Sequence, residues 1–567
     1  MTELKTPWIN HYGDVKFHLD YPDCTMSDAV LSMAEKTPDQ NALEYMGRNI
    51  KFRHLSEMID KCAKSFYALG IRKDDIVTIC MPNMPQSIFC LYALNKIGAV
   101  ASMIHPLSAE GEIINYLDVV NSDYCLTLDQ FYPKFLNVIE KHPLKKLIIT
   151  SAVDEALTAI KLAFPLTEQG RKIEKVKDSD TVITWKSFLK LGVGITDEGF
   201  HHQSKDDCAV ILFSGGTTGT TKGIMLSNLN FNALGLQTAE MSHRDIKGKK
   251  MLAAMPIFHG FGLGVCIHTV LEMGAEAILV PTFNVKSYSK LIKKKKPNFI
   301  AGVPTLYEAI TRTDYLDGVD LSFLLGVFSG GDSLPIELKR RFDKFLDDHN
   351  SPVHVREGYG TTECVTASCL TPYCEEREGS IGLPFPDTYY IICKPGTIEE
   401  VPYGEEGEIC LCGPSVMIGY LNNEEETKST LREHEDGHIW LHTGDLGYMD
   451  EDGFIYFKQR IKRMIITSGY NVYPSQLENI IDAHPAVQMS CVIGVKDDYK
   501  MQRVKAYIVL KNGVELTDEV KESMMDHCKK NIAKYALPKE IEYRDSLPKT
   551  LVGKIAYTVL EKEANGE

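Results

Sequence analysis

Between positions 76 and 149 the chain alternates short apolar runs with longer amphipathic stretches. The runs at 76–81, 99–104, 124–126 and 146–149 are too short for helices and read as buried strands. The stretches between them, 84–96, 110–119 and 132–140, repeat apolar residues at helical spacing. The rhythm returns further on, with strand-like runs at 209–213, 224–226, 251–255, 277–280, 299–304 and 326–332 and a helix over 229–240. Such alternation predicts an α/β fold, doubly wound around mostly parallel sheets.

The flanks differ. An amphipathic helix capped by Ser27 or Asp28, a strand over 49–53 and a helix over 55–69 form a lead-in. Residues 151–206 are polar and irregular and read as a surface excursion. Beyond 381, short strands such as 389–393 and 407–412 predict a β-rich subdomain over about 381–459. After Arg460 the pattern tightens into a compact unit. The dibasic segment 459–463 sets the expected boundary, giving a large domain over 1–461 and a small one over 462–567.

Composition narrows the function only a little. A chain of 567 residues suits two or more domains, and its net charge of −15 argues against a general nucleic-acid binder. The fifteen cysteines are scattered without a CxxC pair, and Cys410 and Cys412 have the spacing of strand neighbours. Thiols of this kind, with no basic-then-apolar leader and no apolar run of membrane length, predict a reduced, cytoplasmic protein. The run Lys293-Lys294-Lys295-Lys296 reads as a solvated corner, with contact to an anionic membrane or partner as the alternative.

The chemistry concentrates in a few segments. Between the runs at 209–213 and 224–226 lies Ser214-Gly215-Gly216-Thr217-Thr218-Gly219-Thr220-Thr221-Lys222-Gly223. Glycines let phosphate approach backbone N–H groups, hydroxyls add neutral donors, and Lys222 adds a mobile positive charge. This is a polyphosphate cradle, without the GK[ST] ending and following helix of a P-loop. Glu357-Gly358-Tyr359-Gly360-Thr361-Thr362-Glu363 offers an aromatic face, hydroxyls and a hard oxygen for Mg²⁺. Trp440-Leu441-His442-Thr443-Gly444-Asp445 sets a carboxylate after a Thr-Gly turn, where it can accept two neighbouring hydroxyls.

Taken in order, these segments resemble the signatures of the adenylate-forming superfamily, which includes acyl-CoA synthetases, aryl-CoA ligases, luciferases and peptide-synthetase adenylation domains. The phosphate loop is similar to S-G-[ST]-T-G-x-P-K-G, with Thr221 where Pro is usual and Asn228 in place of a usual His. The resemblance assigns Gly330, Gly331 and Asp332, with Glu357 to Thr362, to the adenine side of an ATP or AMP site. It gives Tyr359 to the adenine, Glu363 to Mg²⁺, Asp445 to the ribose and Arg460 to the ribose or phosphates. Lys462 falls at the family's hinge, which makes the small α+β C-terminal domain a mobile one. Ser468 and Gly469 fall where the coenzyme A arm passes. The segment 547–555 resembles P-K-T-x-[ST]-G-K-[IV] and makes Lys554 the catalytic lysine, with Val552 and Tyr557 departing from the usual Ser/Thr and Arg.

The resemblance implies an ATP-dependent acid–CoA ligase that forms an acyl-adenylate and then a thioester, with Lys222, Glu363 and Lys554 serving the first step. The acid pocket is expected among Phe258, His259, Phe261, Gly302, Gly330, Gly358 and Val365. Gly260, Gly262 and Gly264 suggest open space and so a medium- or long-chain fatty acid. An aryl or other acid, or an acyl-AMP ligase that loads a carrier protein, is the alternative. No Asp in 253–257 stands ready for an amino-acid ammonium.

Overall fold

A computed structural model describes residues 4–215, 221–467, 470–497, 501–550 and 553–566. The α/β rhythm of the sequence resolves into two large sheets. The first has eight strands, with Val100–Ile104, Ile76–Cys80, Tyr124–Leu128 and Lys146–Thr150 parallel at its centre. Cys208–Gly215 joins them in parallel, and Thr221–Ser227 folds back on it antiparallel. The loop between these two strands is the Gly/Thr cradle, and its residues Gly216, Thr217, Thr218 and Gly219 lie outside the described residues.

The second sheet has nine strands. Val355–Tyr359, Gly326–Ser329, Phe299–Gly302, Lys250–Ala253, Glu276–Leu279 and Asn41–Tyr45 run parallel in that spatial order. Their near-continuous apolar runs are buried by helices, as strands inside a parallel sheet require. A single large core joins the helices to both sheets through Phe52, Phe66, Phe89, Phe231, Tyr288 and Tyr307.

The lead-in helix Met26–Lys36 is capped by Thr25 rather than by Ser27 or Asp28, which lie in its first turn. Two longer segments also depart from the sequence reading. Residues 151–206 are not wholly an excursion: Val182–Thr184 adds an edge strand to the first sheet, and Trp185–Leu191 forms a helix. Trp185 and Phe188 are buried, and Phe188 meets Phe66 at a ring-centroid distance of 4.8 Å. A three-residue strand behind a charged stretch carries too little periodicity to be read. The second departure is Phe261–His268, a fully buried π-helix. Its glycines do not open space. A Cβ on Gly260 would lie 1.5 Å from the Val365 carbonyl oxygen, one on Gly262 2.1 Å from that of Pro256, and one on Gly264 2.6 Å from Leu234 Cδ2. Their role is close approach of backbone, not volume for a ligand.

From Tyr389 onwards the chain builds a five-stranded antiparallel sheet whose centre is the long strand Ile439–Met449, flanked by Gly407–Cys412 and Ile455–Arg460. A short 3₁₀ turn, Ile461–Arg463, leads into a last sheet around Met501–Leu510 and Val487–Asp497. The helices Pro474–Asp482 and Asp518–Asn531 cover it, and Leu477, Ile481, Val492 and Met524 form its own core. Among the described residues no helix is long and apolar enough to cross a membrane.

Candidate active site

The C-terminal ends of Phe299–Gly302, Gly326–Ser329 and Val355–Tyr359 open on one crevice, the place where parallel sheets expose their turns. Gly330 and Gly331 follow the middle strand directly. Gly331 has φ +80°, so the turn needs a residue without a Cβ. Gly330 packs beneath Gly358: a Cβ there would lie 3.2 Å from the Gly358 carbonyl oxygen and 3.7 Å from Phe261. Glu357 accepts a hydrogen bond from the Leu334 amide at 3.2 Å, and burial raises its carboxyl to about 7.

The β-rich sheet closes the crevice from the other side. Asp445 sits on Ile439–Met449 opposite Arg460 of the neighbouring strand, with Nε of Arg460 3.6 Å from its Oδ1. Tyr359 donates its hydroxyl to Asp445 Oδ2 at 2.7 Å. The Asp445 side chain is only 4 % exposed, and its Oδ1 accepts no hydrogen bond among the described residues. Burial raises the carboxyl, and the Arg460 guanidinium opposes that shift. A buried carboxylate oxygen without a donor is costly. A ligand that brings hydroxyl donors would satisfy it.

The turn that presents Asp445 is fixed from behind. Gly444, with φ +71°, donates its amide to Glu408 Oε1 at 3.0 Å, while Glu408 Oε2 lies 3.0 Å from His442 Nδ1. His442 Nε2 in turn meets His434 Nε2 at 2.9 Å. The imidazole of His442 holds the Glu408 carboxyl below its ordinary value against the effect of burial.

Lys554 arrives from the C-terminal end of the chain. The turn around Gly553 is closed by Thr550 and Lys554, and the Thr305 hydroxyl donates to the Gly553 carbonyl at 2.8 Å. This contact lays the Lys554 side chain over Gly331, with Cε 3.6 Å and Nζ 4.0 Å from where a Cβ on that glycine would stand. Burial lowers the ammonium's pKa, partly offset by Asp332 and Asp445. Burial and the nearby Lys554 also push the His259 imidazole down to about 3, so it is neutral at physiological pH.

Model matches to the chain settle the family. The description "AMP-binding enzyme" fits residues 32–421, and "AMP-binding enzyme C-terminal domain" fits 476–554. The chain belongs to the AMP-binding enzyme family. It is 33% identical over 566 residues to a long-chain-fatty-acid–CoA ligase of Bacillus subtilis (strain 168), covering 98% of this chain and 97% of that one. A long-chain-fatty-acid–CoA ligase of Escherichia coli O6:H1 is 31% identical, with 100% and 99% covered. Among solved structures, the anthranilate CoA ligase AuaEII in complex with anthranoyl-AMP superposes with a TM-score of 0.79 at 22% identity, covering 98% of this chain and 99% of that one. A benzoate CoA ligase from Burkholderia xenovorans LB400 gives 0.80 at 19%, covering 95% and 99%. These last two are similar in fold.

Within this family member the predicted site residues are placed as follows. Gly330, Gly331, Glu357, Gly358, Tyr359, Asp445, Arg460 and Lys554 are brought together, and Asp332, although exposed, is close enough to act on Lys554. Gly360 is pressed against Thr366, and Thr361 and Thr362 lead into the short turn carrying Glu363. In the expected acid pocket, Phe261 is buried beside Gly330, Gly358 packs against Gly330, and Val365 presses on Gly260. Gly302 instead faces Leu306, and Phe258 packs on the His105 ring at 4.3 Å. Ser214 and Gly215 end their strand opposite Lys222 and Thr221. Lys462 is exposed in the 461–463 turn, while Ser468 and Gly469 lie outside the described residues.

Sequence reasoning missed Thr305 and Glu408, and also Tyr420, which donates to Glu363, and Glu426, which pairs with Lys222. Asn228, where the family pattern has His, is a packing residue. Its amide accepts from the Met26 backbone at 3.0 Å and donates to the Ser204 carbonyl at 3.0 Å, so it braces the lead-in helix rather than a ligand.

Proposed function

We propose that this chain is an ATP-dependent, AMP-forming acid–CoA ligase acting on a long-chain fatty acid. Convergence of Lys554, Asp445 and Tyr359 on one crevice carries the reading, because one arrives from the C-terminal end and the others line the large domain. The names of the two full-length relatives above support the acid class. In the first half-reaction the acid's carboxylate oxygen attacks the α-phosphorus of ATP and pyrophosphate leaves. Two anions must then approach, so positive charge and alignment dominate the barrier. Lys554 faces the reacting oxygens, Lys222 the outer phosphates, Asp445 the ribose hydroxyls and Tyr359 the adenine. Glu363 suits Mg²⁺, which takes one or two protein carboxylates and fills its shell with water and phosphate oxygen; when bound, it neutralises charge on those phosphates. In the second half-reaction the thiolate of coenzyme A attacks the acyl carbon and AMP leaves. A rotation of the 462–567 domain about Lys462 withdraws Lys554 and brings Ser468 and Gly469 to the crevice.

The alkyl chain has a natural line to follow. One turn beyond Phe261, a cavity of about 30 Å³ is lined by Met251, Val265, Thr269, Phe299 and Phe328. Ile246 borders both this cavity and a groove of about 430 Å³ in which Leu236 and Met273 stand beside the charged Asp20, Glu240, Arg244, Asp245 and Lys247. All fifteen thiols are free, which supports a reducing, cytoplasmic location.

Product analysis tests the function. With MgATP, coenzyme A and acids from short to long chain, the expected products are AMP, pyrophosphate and acyl-CoA, with long-chain acids turned over fastest. Formation of ADP, or of acyl-AMP that coenzyme A does not consume, overturns it.

A further inference from the structure

Lys222 is not waiting free for phosphate. It stands on Thr221–Ser227, and the short strand Gly419–Tyr420 pairs antiparallel with that strand so that Tyr420 lies opposite Ile224. Lys222 and Ile224 share a face, since side chains alternate along a strand. The pairing therefore sets the Tyr420 ring beside the lysine, and Nζ of Lys222 lies 4.9 Å from the ring centroid. Tyr420 also donates its hydroxyl to Glu363 Oε1 at 2.9 Å.

The third partner comes from the next element. The Tyr420 amide donates to Thr427 Oγ1 at 2.9 Å, and Asn423 caps the helix Glu424–Thr430 by accepting from the Glu426 amide at 3.1 Å. These two bonds fix the first turn of the helix against Tyr420. Glu426 then meets the Lys222 ammonium in a direct ion pair. The Lys222 side chain is 15 % exposed and that of Glu426 38 %, so the pair sits at the rim of the crevice and remains open to exchange.

We propose that Glu426 is a release residue for polyphosphate: a carboxylate that competes with the β- and γ-phosphates for Lys222 and speeds the departure of pyrophosphate. The inference rests on the phosphate-facing role of Lys222 proposed above. An incoming triphosphate must take the ammonium from Glu426 and is then held beside a displaced negative charge, which weakens its binding. AMP ends at the α-phosphate and is indifferent to the exchange. Glu426 thus lowers affinity for ATP and pyrophosphate without lowering affinity for AMP. It acts through Lys222 and is a positioning residue.

Calorimetry with ATP, inorganic pyrophosphate and AMP, each with Mg²⁺, tests this without knowledge of the acid. Glu426→Gln should bind pyrophosphate and ATP about 1.5-fold to fivefold more tightly, the range of a partly exposed ion pair. AMP affinity should stay at the wild-type value, and Glu426→Asp, which keeps the charge, should lie nearer wild type for all three. Unchanged or weaker pyrophosphate binding in Glu426→Gln overturns the proposal, as does equal tightening of AMP. Glu426→Ala is the second variant should the amide disturb the helix. Lys222→Ala separates this inference from the reading beneath it. If Lys222→Ala leaves ATP and pyrophosphate binding unchanged, the phosphate role of Lys222 is wrong. If it weakens both while Glu426→Gln tightens neither, the phosphate role stands and the release role alone falls.

Discussion

The hydroxyl of Tyr359 donates to Asp445 Oδ2 at 2.7 Å, a bond that ties the second parallel sheet to the β-rich sheet across the crevice. It uses one carboxylate oxygen and leaves the other, Oδ1, facing Arg460 without a hydrogen-bond donor among the described residues. The aromatic residue and the acid are thereby held at fixed separation, as a nucleoside with a base at one end and hydroxyls at the other requires.

Asp445→Ala should weaken ATP and AMP to a similar degree, because the ribose is common to both. A charge-assisted hydrogen bond in a buried site is worth about 1.5–3 kcal/mol, so a loss of roughly tenfold or more is expected by calorimetry. Unchanged AMP affinity would remove the ribose role from Asp445.

Lys554→Ala should lower adenylate formation by about a hundredfold or more, the usual cost of deleting a charge that faces the reacting atoms. Transfer from pre-made acyl-AMP to coenzyme A should persist, since this lysine serves the first half-reaction. Measuring both half-reactions on one preparation decides the point; equal loss in both contradicts the assignment.

Lys462→Pro should give the opposite split. Proline fixes φ near −65° and removes an amide donor, so it blocks a backbone rotation while touching neither substrate. Adenylation should survive and thioester formation should fall about tenfold, near 1.4 kcal/mol in barrier. A thermal melt on the same sample establishes that the variant is folded. Wild-type thioester synthesis by a folded variant would move the hinge elsewhere.

Glu357 should write its raised pKa into the pH dependence of stability. Burial lifts the carboxyl from 4.5 to about 7, so between those values the folded chain holds a proton that the unfolded chain has lost. Stability contributed by this group is therefore greatest below 4.5 and declines as pH rises towards 7. Glu357→Gln should remove that decline, on the order of 1 kcal/mol per pH unit where it is steepest. Denaturant midpoints of the two proteins across this range give the comparison, and parallel curves would refute it.

Much of this architecture was legible because parallel strands buried on both sides write themselves as short apolar runs. The motif order then supplied Tyr359, Asp445, Arg460 and Lys554. What stayed hidden depends on pairing between distant segments. Glu426 reaches Lys222 only because Gly419–Tyr420 adds to a strand nearly two hundred positions earlier in the chain. Thr305 matters only where Gly553 docks on it. The π-helix Phe261–His268 escaped for another reason: hydrophobic all round, it has no polar face to betray a helical period. Its glycines looked like space because a sequence does not say what stands opposite them.

Val365, fully buried, holds φ +63°, a region that is costly for a β-branched side chain, and its carbonyl oxygen occupies the place where a Cβ on Gly260 would be. For anyone redesigning acid preference, this makes position 260 a closed door. Even alanine there must push back the strained segment that follows Glu363, so a substitution at 260 would be felt first around Glu363. Val265, inside the π-helix Phe261–His268, instead shares a small cavity with the apolar side chains of Met251, Phe299 and Phe328, which can repack.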